Sequence, residues 1–146
     1  MNLSFRNIEF DETTEIDSWP AEAIQILLDR GSLSDWRALA HAIRANPWGP
    51  AARTTENVVG WDEHYGVDVL MQRVIRKARE DVERHGRELY AQRIKAWRKK
   101  TGMSLREFAA TAGTSAPRLS SYESGKVAPT TDVLGRLEHV AKRRAK

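Results

Sequence analysis

The chain has 146 residues, 40% of them hydrophobic and 30% charged, with a net charge of +4 and no cysteine. That length suits one moderate domain or two small ones, and the missing cysteines exclude a disulfide framework and cysteine-ligated zinc. No apolar run approaches the ~18 residues needed to cross a bilayer, and the acidic start MNLSFRNIEFDETTEID has no signal-peptide stretch, so a soluble cytoplasmic protein is expected.

The charge is unevenly placed. Residues 1–64 hold 5 Lys/Arg against 11 Asp/Glu, whereas residues 88–146 hold 13 against 5. An acidic front and a basic rear point to a polyanionic partner for the second half alone.

In residues 1–17, Leu3, Phe5, Ile8 and Phe10 make a broken alternation, read as an extended arm with at best one short strand. Pro20 suits a helix start, and Ala21, Ile24, Leu27 and Leu28 repeat at helical spacing as far as Gly31. Ser32 with Asp35 forms a capping-box pattern ahead of Trp36, Leu39, Ala40 and Ile43. The NPWGP run at 46–50 marks a turn, after which Ala52, Thr55, Val58 and Val59 share a face. Trp19, Trp36, Trp48 and Trp61 fall on or beside these stripes and are expected in the core. Residues 18–87 thus read as a helical subdomain for dimerisation or partner binding.

From Val67 to Lys100 the pattern is helical almost throughout. Leu70, Val74, Ala78 and Val82 lie at four-residue steps, and Leu89, Ile94 and Trp97 continue an apolar side. The pattern allows one long helix or a hinge at His85-Gly86, and an apolar stripe over 67–89 that packs internally or forms a dimer seam. Next, Ser104 with Glu107 is a second capping-box pattern; Phe108, Ala109 and Ala112 form a buried stripe, and Gly113 ends that helix. Ser115 opens another, in which Leu119 and Tyr122 share a face up to Gly125. Thr130-Thr131-Asp132 caps a last helix with Val133, Leu134, Leu137 and Val140 inward, before the tail AKRRAK.

Two short helices joined by a Gly-containing turn are the pattern of a helix-turn-helix. Arg98, Gly102, Ser104, Phe108-Ala109, Gly113, Ser115, Leu119, Tyr122-Glu123, Gly125 and Pro129 stand at the spacing of the Cro/C1-type helix-turn-helix family of repressors, which this chain resembles from about Arg93 to Lys142. The resemblance implies an all-α fold, with an N-terminal helical subdomain followed by a lambda-repressor-like helix-turn-helix domain at 88–146. It also implies a partly buried structural ion pair between Arg98 and Glu123. Two departures stand out: Leu105 replaces a commonly polar residue, and no sequence remains for the fifth helix that usually closes the family's core.

With Leu119 and Tyr122 inward, the candidate base-reading residues are Ala116, Pro117, Arg118, Ser120 and Ser121. Arg118 is the long side chain that matches the O6 and N7 acceptors of guanine. Candidate phosphate contacts are Arg106, Ser115, Ser124, Lys126, Lys99 and Lys100, with Arg143 and Arg144 in addition. The expected function is a sequence-specific transcriptional regulator of double-stranded DNA, an autorepressor binding a palindromic operator as a homodimer. The alternative is an antitoxin of a toxin–antitoxin pair that neutralises a toxin through its first half, with the acidic stretch 9–17 in a cationic site of that partner, and represses its own operon through the second. No catalytic role, cofactor or metal is expected: His41, His64, His85 and His139 lack ligand spacing, and the nearest cluster is Asp62-Glu63-His64 before Tyr65.

Overall fold

The computed structural model describes residues 11, 13–61 and 66–144. The Leu3–Phe10 pattern and the Asp62–Tyr65 cluster lie outside the described residues, as do the last two residues of the tail. The fold is all-helical. A 3-10 turn at Ile16–Ser18 precedes α1 (Ala21–Arg30), α2 (Leu33–Ala45), α3 (Pro50–Val58), α4 (Val67–Thr101), α5 (Leu105–Thr111), α6 (Ala116–Glu123) and α7 (Thr131–Arg144). Two compact units result, Met1–Asp81 and Val82–Lys146.

In the first unit, Ile24, Leu27 and Leu28 of α1 share one core with Leu39 and Ile43 of α2, Ala52 and Val58 of α3, and Met71 and Ile75 of α4. Polar groups fix how these helices enter that core. Ser32 and Asp35 cap α2 reciprocally: Ser32 N–H donates to Asp35 Oδ2 at 2.8 Å, and Asp35 N–H donates to Ser32 Oγ at 3.4 Å. The N-cap of α3, Gly49, has no side chain to offer, and Asp17 Oδ1 accepts from Ala51 N–H at 2.9 Å instead. Residues 16 and 17, expected at the end of an extended arm, therefore lie in a 3-10 turn whose Ile16 packs on the core.

One expectation fails in this unit. Trp19 is buried and Trp36 packs against the core, each with its indole N–H bonded to a backbone carbonyl, but Trp48 and Trp61 are exposed. Trp48 lies in the NPWGP turn beneath the Arg79 guanidinium, 5.7 Å from its ring centre. The same guanidinium donates to Pro47 O at 2.9 Å and pairs with Glu56. The indole thus serves as a platform for a cation, an arrangement that leaves one face in solvent.

Along α4 the 67–89 stripe, left open between internal packing and a dimer seam, is divided. The helix is continuous through Gly86, yet Leu70, Val82 and Leu89 of the expected stripe are exposed. The buried positions are Val67, Met71, Ile75 and Ala78, and further along Ala91 and Ile94. Leu70 lies about 100° round the helix from Met71, off the buried sector, whereas Val82 and Leu89 share the sector of Met71 and Ile75 and are exposed because the first unit's core ends at Ala78.

Candidate nucleic-acid interface

The second unit is built around α5 and α6. Ser104 caps α5 by accepting from Glu107 N–H at 3.1 Å, and Ser115 caps α6 by accepting from Arg118 N–H at 3.3 Å. Between the helices Gly113 takes φ +75°, a backbone that a Cβ disfavours; Gly125 takes the same φ after α6. Phe108 and Ala109 of α5 and Leu119 and Tyr122 of α6 meet Ile94 of α4 and Val133 and Leu137 of α7 in one core.

The far end of α6 is tied to α4 by charge. Arg98 Nε donates to Glu123 Oε1 at 2.7 Å and its Nη2 to Oε2 at 3.4 Å, a two-pronged contact that a planar guanidinium makes with a carboxylate. The Glu123 side chain is 9% exposed and that of Arg98 34%, so the carboxylate sits inside while the guanidinium reaches water.

With that inner face anchored, Pro117, Arg118 and Ser120 of α6 are exposed. Ala116 is half-buried against the core, and Ser121 is half-buried with its hydroxyl donated to Pro117 O at 3.2 Å. Of the five candidate base-reading residues, the structure therefore leaves three fully presented. Ser115, Ser124, Lys126 and Arg106 are exposed at the ends of α6 and the start of α5, and Lys99 and Lys100 are exposed at the C-terminal end of α4. Arg143 and Arg144 lie with Met103, Thr111 and His139 along a groove of about 440 Å³.

Residues 94–142 match the helix-turn-helix family. Neither a curated protein nor a solved structure matches the chain. The C-terminal part of this protein is a Cro/C1-type helix-turn-helix domain. That domain makes the protein a DNA-binding transcription regulator. Among the described residues no helix is long and apolar enough to cross a membrane.

Two arginines of this helix-turn-helix unit escaped the sequence pattern. Arg87 Nε donates to Gly125 O at 3.2 Å, holding the loop that carries Lys126, and Arg136 places its guanidinium beside Gly113 at the turn. The first contact joins residues 38 positions apart, a distance no local pattern spans.

Proposed function

We propose that the protein is a sequence-specific autorepressor, cytoplasmic and dimeric, that reads a palindromic operator upstream of its own gene. The observation carrying this reading is the outer face of α6. Arg118 sits in the first turn, fully exposed between Pro117 and Ser120, while Leu119, Tyr122 and Glu123 pin the helix from behind. First-turn residues of a recognition helix reach base edges, and an arginine there makes two parallel hydrogen bonds to a guanine. The flanking serines and cations supply phosphate contacts that orient the helix without carrying sequence information.

Fluorescence anisotropy tests this, with duplex DNA from upstream of the gene against a scrambled duplex. Preferential binding upstream, weakened roughly 10- to 100-fold by Arg118→Ala with loss of preference at one base pair, supports direct readout. An equal loss on both duplexes would reduce Arg118 to a phosphate contact, and equal wild-type binding to both would end the sequence-specific reading.

A second reading, an antitoxin whose first half holds a toxin, draws support from the apolar side chains that the first unit leaves exposed: Leu33, Trp48, Trp61, Val69 and Leu70. Such groups mark a protein-binding surface where they form one contiguous patch, and mean nothing where they stand singly. Affinity capture from a host carrying a candidate toxin separates the readings: a stoichiometric partner released by Trp48→Ser favours the antitoxin, and no partner removes it.

A further inference from the structure

The family match begins at residue 94, yet the helix-turn-helix unit of this chain begins at Val82 and takes in an earlier part of α4. Arg87, Ala91, Ile94 and Arg98 follow one another along that helix at steps of four, three and four, within about 60° of one another round its axis. Ala91 and Ile94 are buried between the two arginines. Arg98 binds the Glu123 carboxylate, and Arg87 donates to the Gly125 carbonyl at 3.2 Å. One side of α4 therefore grips the end of α6 at two points only two residues apart. A cation on the last carbonyls of a helix also faces the negative end of its dipole.

The loop that follows α6 has little else to hold it. None of residues 124–130 is buried, and Val127 is 49% exposed. The N–H groups of Lys126 and Val127 donate back to Ser121 O at 3.1 and 3.4 Å, bonds that shape the turn but run to α6 itself. Further on, a groove of about 550 Å³ separates Gly86 and Tyr90 of α4 from Ala128 and Pro129. At Gly125 loop and helix meet: a Cβ there would stand 3.9 Å from Glu88 Cα.

We propose that Arg87 is a positioning residue of the DNA interface, acting through its bond to Gly125 to hold Lys126 where it meets a phosphate. The inference rests on the phosphate contacts proposed above, and on neither the dimer nor the operator. Without the bond the turn still forms, because its ties to Ser121 remain, but it pivots on the end of α6 over the groove. Lys126 then neutralises its phosphate in only part of the population. Half-buried Arg87 makes its contact from behind the loop, whereas Lys126 is exposed on it.

Fluorescence anisotropy of the full chain on duplex DNA across a salt series gives the test. Arg87→Met keeps the apolar stem and removes the donor and the charge. It should weaken binding about 3- to 10-fold on any duplex and lower the slope of log affinity against log salt by about one, as Lys126→Ala should. Because the two residues act in series, the double variant should match Lys126→Ala within about 2-fold. Arg87→Lys, whose ammonium still reaches the carbonyl, should recover most of the loss. A double variant weakened by the product of the single losses, with the slope lower by about two, overturns the proposal and makes Arg87 a phosphate contact in its own right. An unchanged slope in Arg87→Met, with earlier unfolding by the Trp97 signal alone, overturns it too and leaves Arg87 structural. Amide hydrogen exchange on the free proteins keeps the inference apart from the DNA reading. Arg87→Met should speed exchange at Lys126 and Val127 and leave α5 unchanged. Equal binding to an upstream and a scrambled duplex ends the sequence-specific reading and leaves the clamp standing. A wild type that binds neither duplex removes the DNA reading, and exchange then decides: faster exchange at those two amides keeps Arg87 as the residue that holds the loop, and unchanged exchange overturns that as well.

Discussion

The two units hold themselves together by different means. Among the described residues the first has a cluster of fourteen buried apolar side chains and the second one of eight. With less apolar surface to bury, the second unit leans on geometry and charge: glycines at φ +75° on either side of α6, a two-pronged Arg98–Glu123 contact, and Arg87 on the Gly125 carbonyl. Its outer surface is in turn free to carry cations. A small, polar-braced unit is the one that can present a short helix at a fixed angle to a charged partner, whereas an apolar-cored unit is free to vary its surface.

If the polyanion contact belongs wholly to the second unit, the largest effect comes from salt. Neutralising about six phosphates should lower duplex affinity roughly 1000-fold between about 50 and about 200 mM salt. Anisotropy titrations of the full chain read this slope directly. Binding that barely responds to salt would mean that apolar contacts from the first unit carry the affinity, and the division of labour would fail.

Next in size is the apolar core. Leu27 is fully buried in the first unit, so Leu27→Ala should cost about 2–5 kcal/mol of that unit's stability. Urea unfolding followed by tryptophan fluorescence reports it, because Trp19 and Trp36 pack in or against this core. Duplex affinity in the absence of denaturant should stay unchanged. Should affinity fall in step with stability, the units would be energetically one.

The matching perturbation in the second unit is polar. Glu123→Gln removes the charge opposite Arg98, and because Arg98 is 34% exposed, water relieves part of the cost, leaving about 1–2 kcal/mol. Trp97, the lone tryptophan of residues 82–146, is half-buried against this core and isolates the transition. The variant should unfold earlier by the Trp97 signal and bind DNA less well, with Trp19 and Trp36 unaffected.

How much of this was legible in the sequence follows the range of each interaction. Helix starts announced themselves, because Ser32, Ser104 and Ser115 act on N–H groups three residues away. The turns around α6 were equally plain, since only glycine suits their backbone. Features set by distant partners stayed hidden. The exposure of Trp48 depends on Arg79, the cap of α3 comes from Asp17 thirty-four residues upstream, and the buried side of α4 is chosen by helices whose docking no local count of apolar residues reveals. At the interface, Arg118 could be placed from the neighbouring Leu119 and Tyr122, but the back-bond that occupies Ser121 could not.

The smallest effect tests that lesson on two stretches of one pattern. Ser32-x-x-Asp35 and Ser104-x-x-Glu107 read alike in sequence, yet only the first is reciprocal. Asp35 is 5% exposed and accepts from both Ser32 N–H at 2.8 Å and Ser32 Oγ–H at 3.1 Å, whereas Glu107 is exposed and contributes its backbone N–H to Ser104. Asp35→Ala strips a buried cap and should lower the first unit's stability by about 1–2 kcal/mol. Glu107→Ala removes only a favourable charge in the first turn of α5, about 0.3 kcal/mol, with Trp97 reporting almost no shift. Equal losses would mean that Glu107 closes its box in solution, and Glu107→Asp, with its shorter side chain, should then weaken the cap; with no box, Glu107→Asp changes nothing or gains.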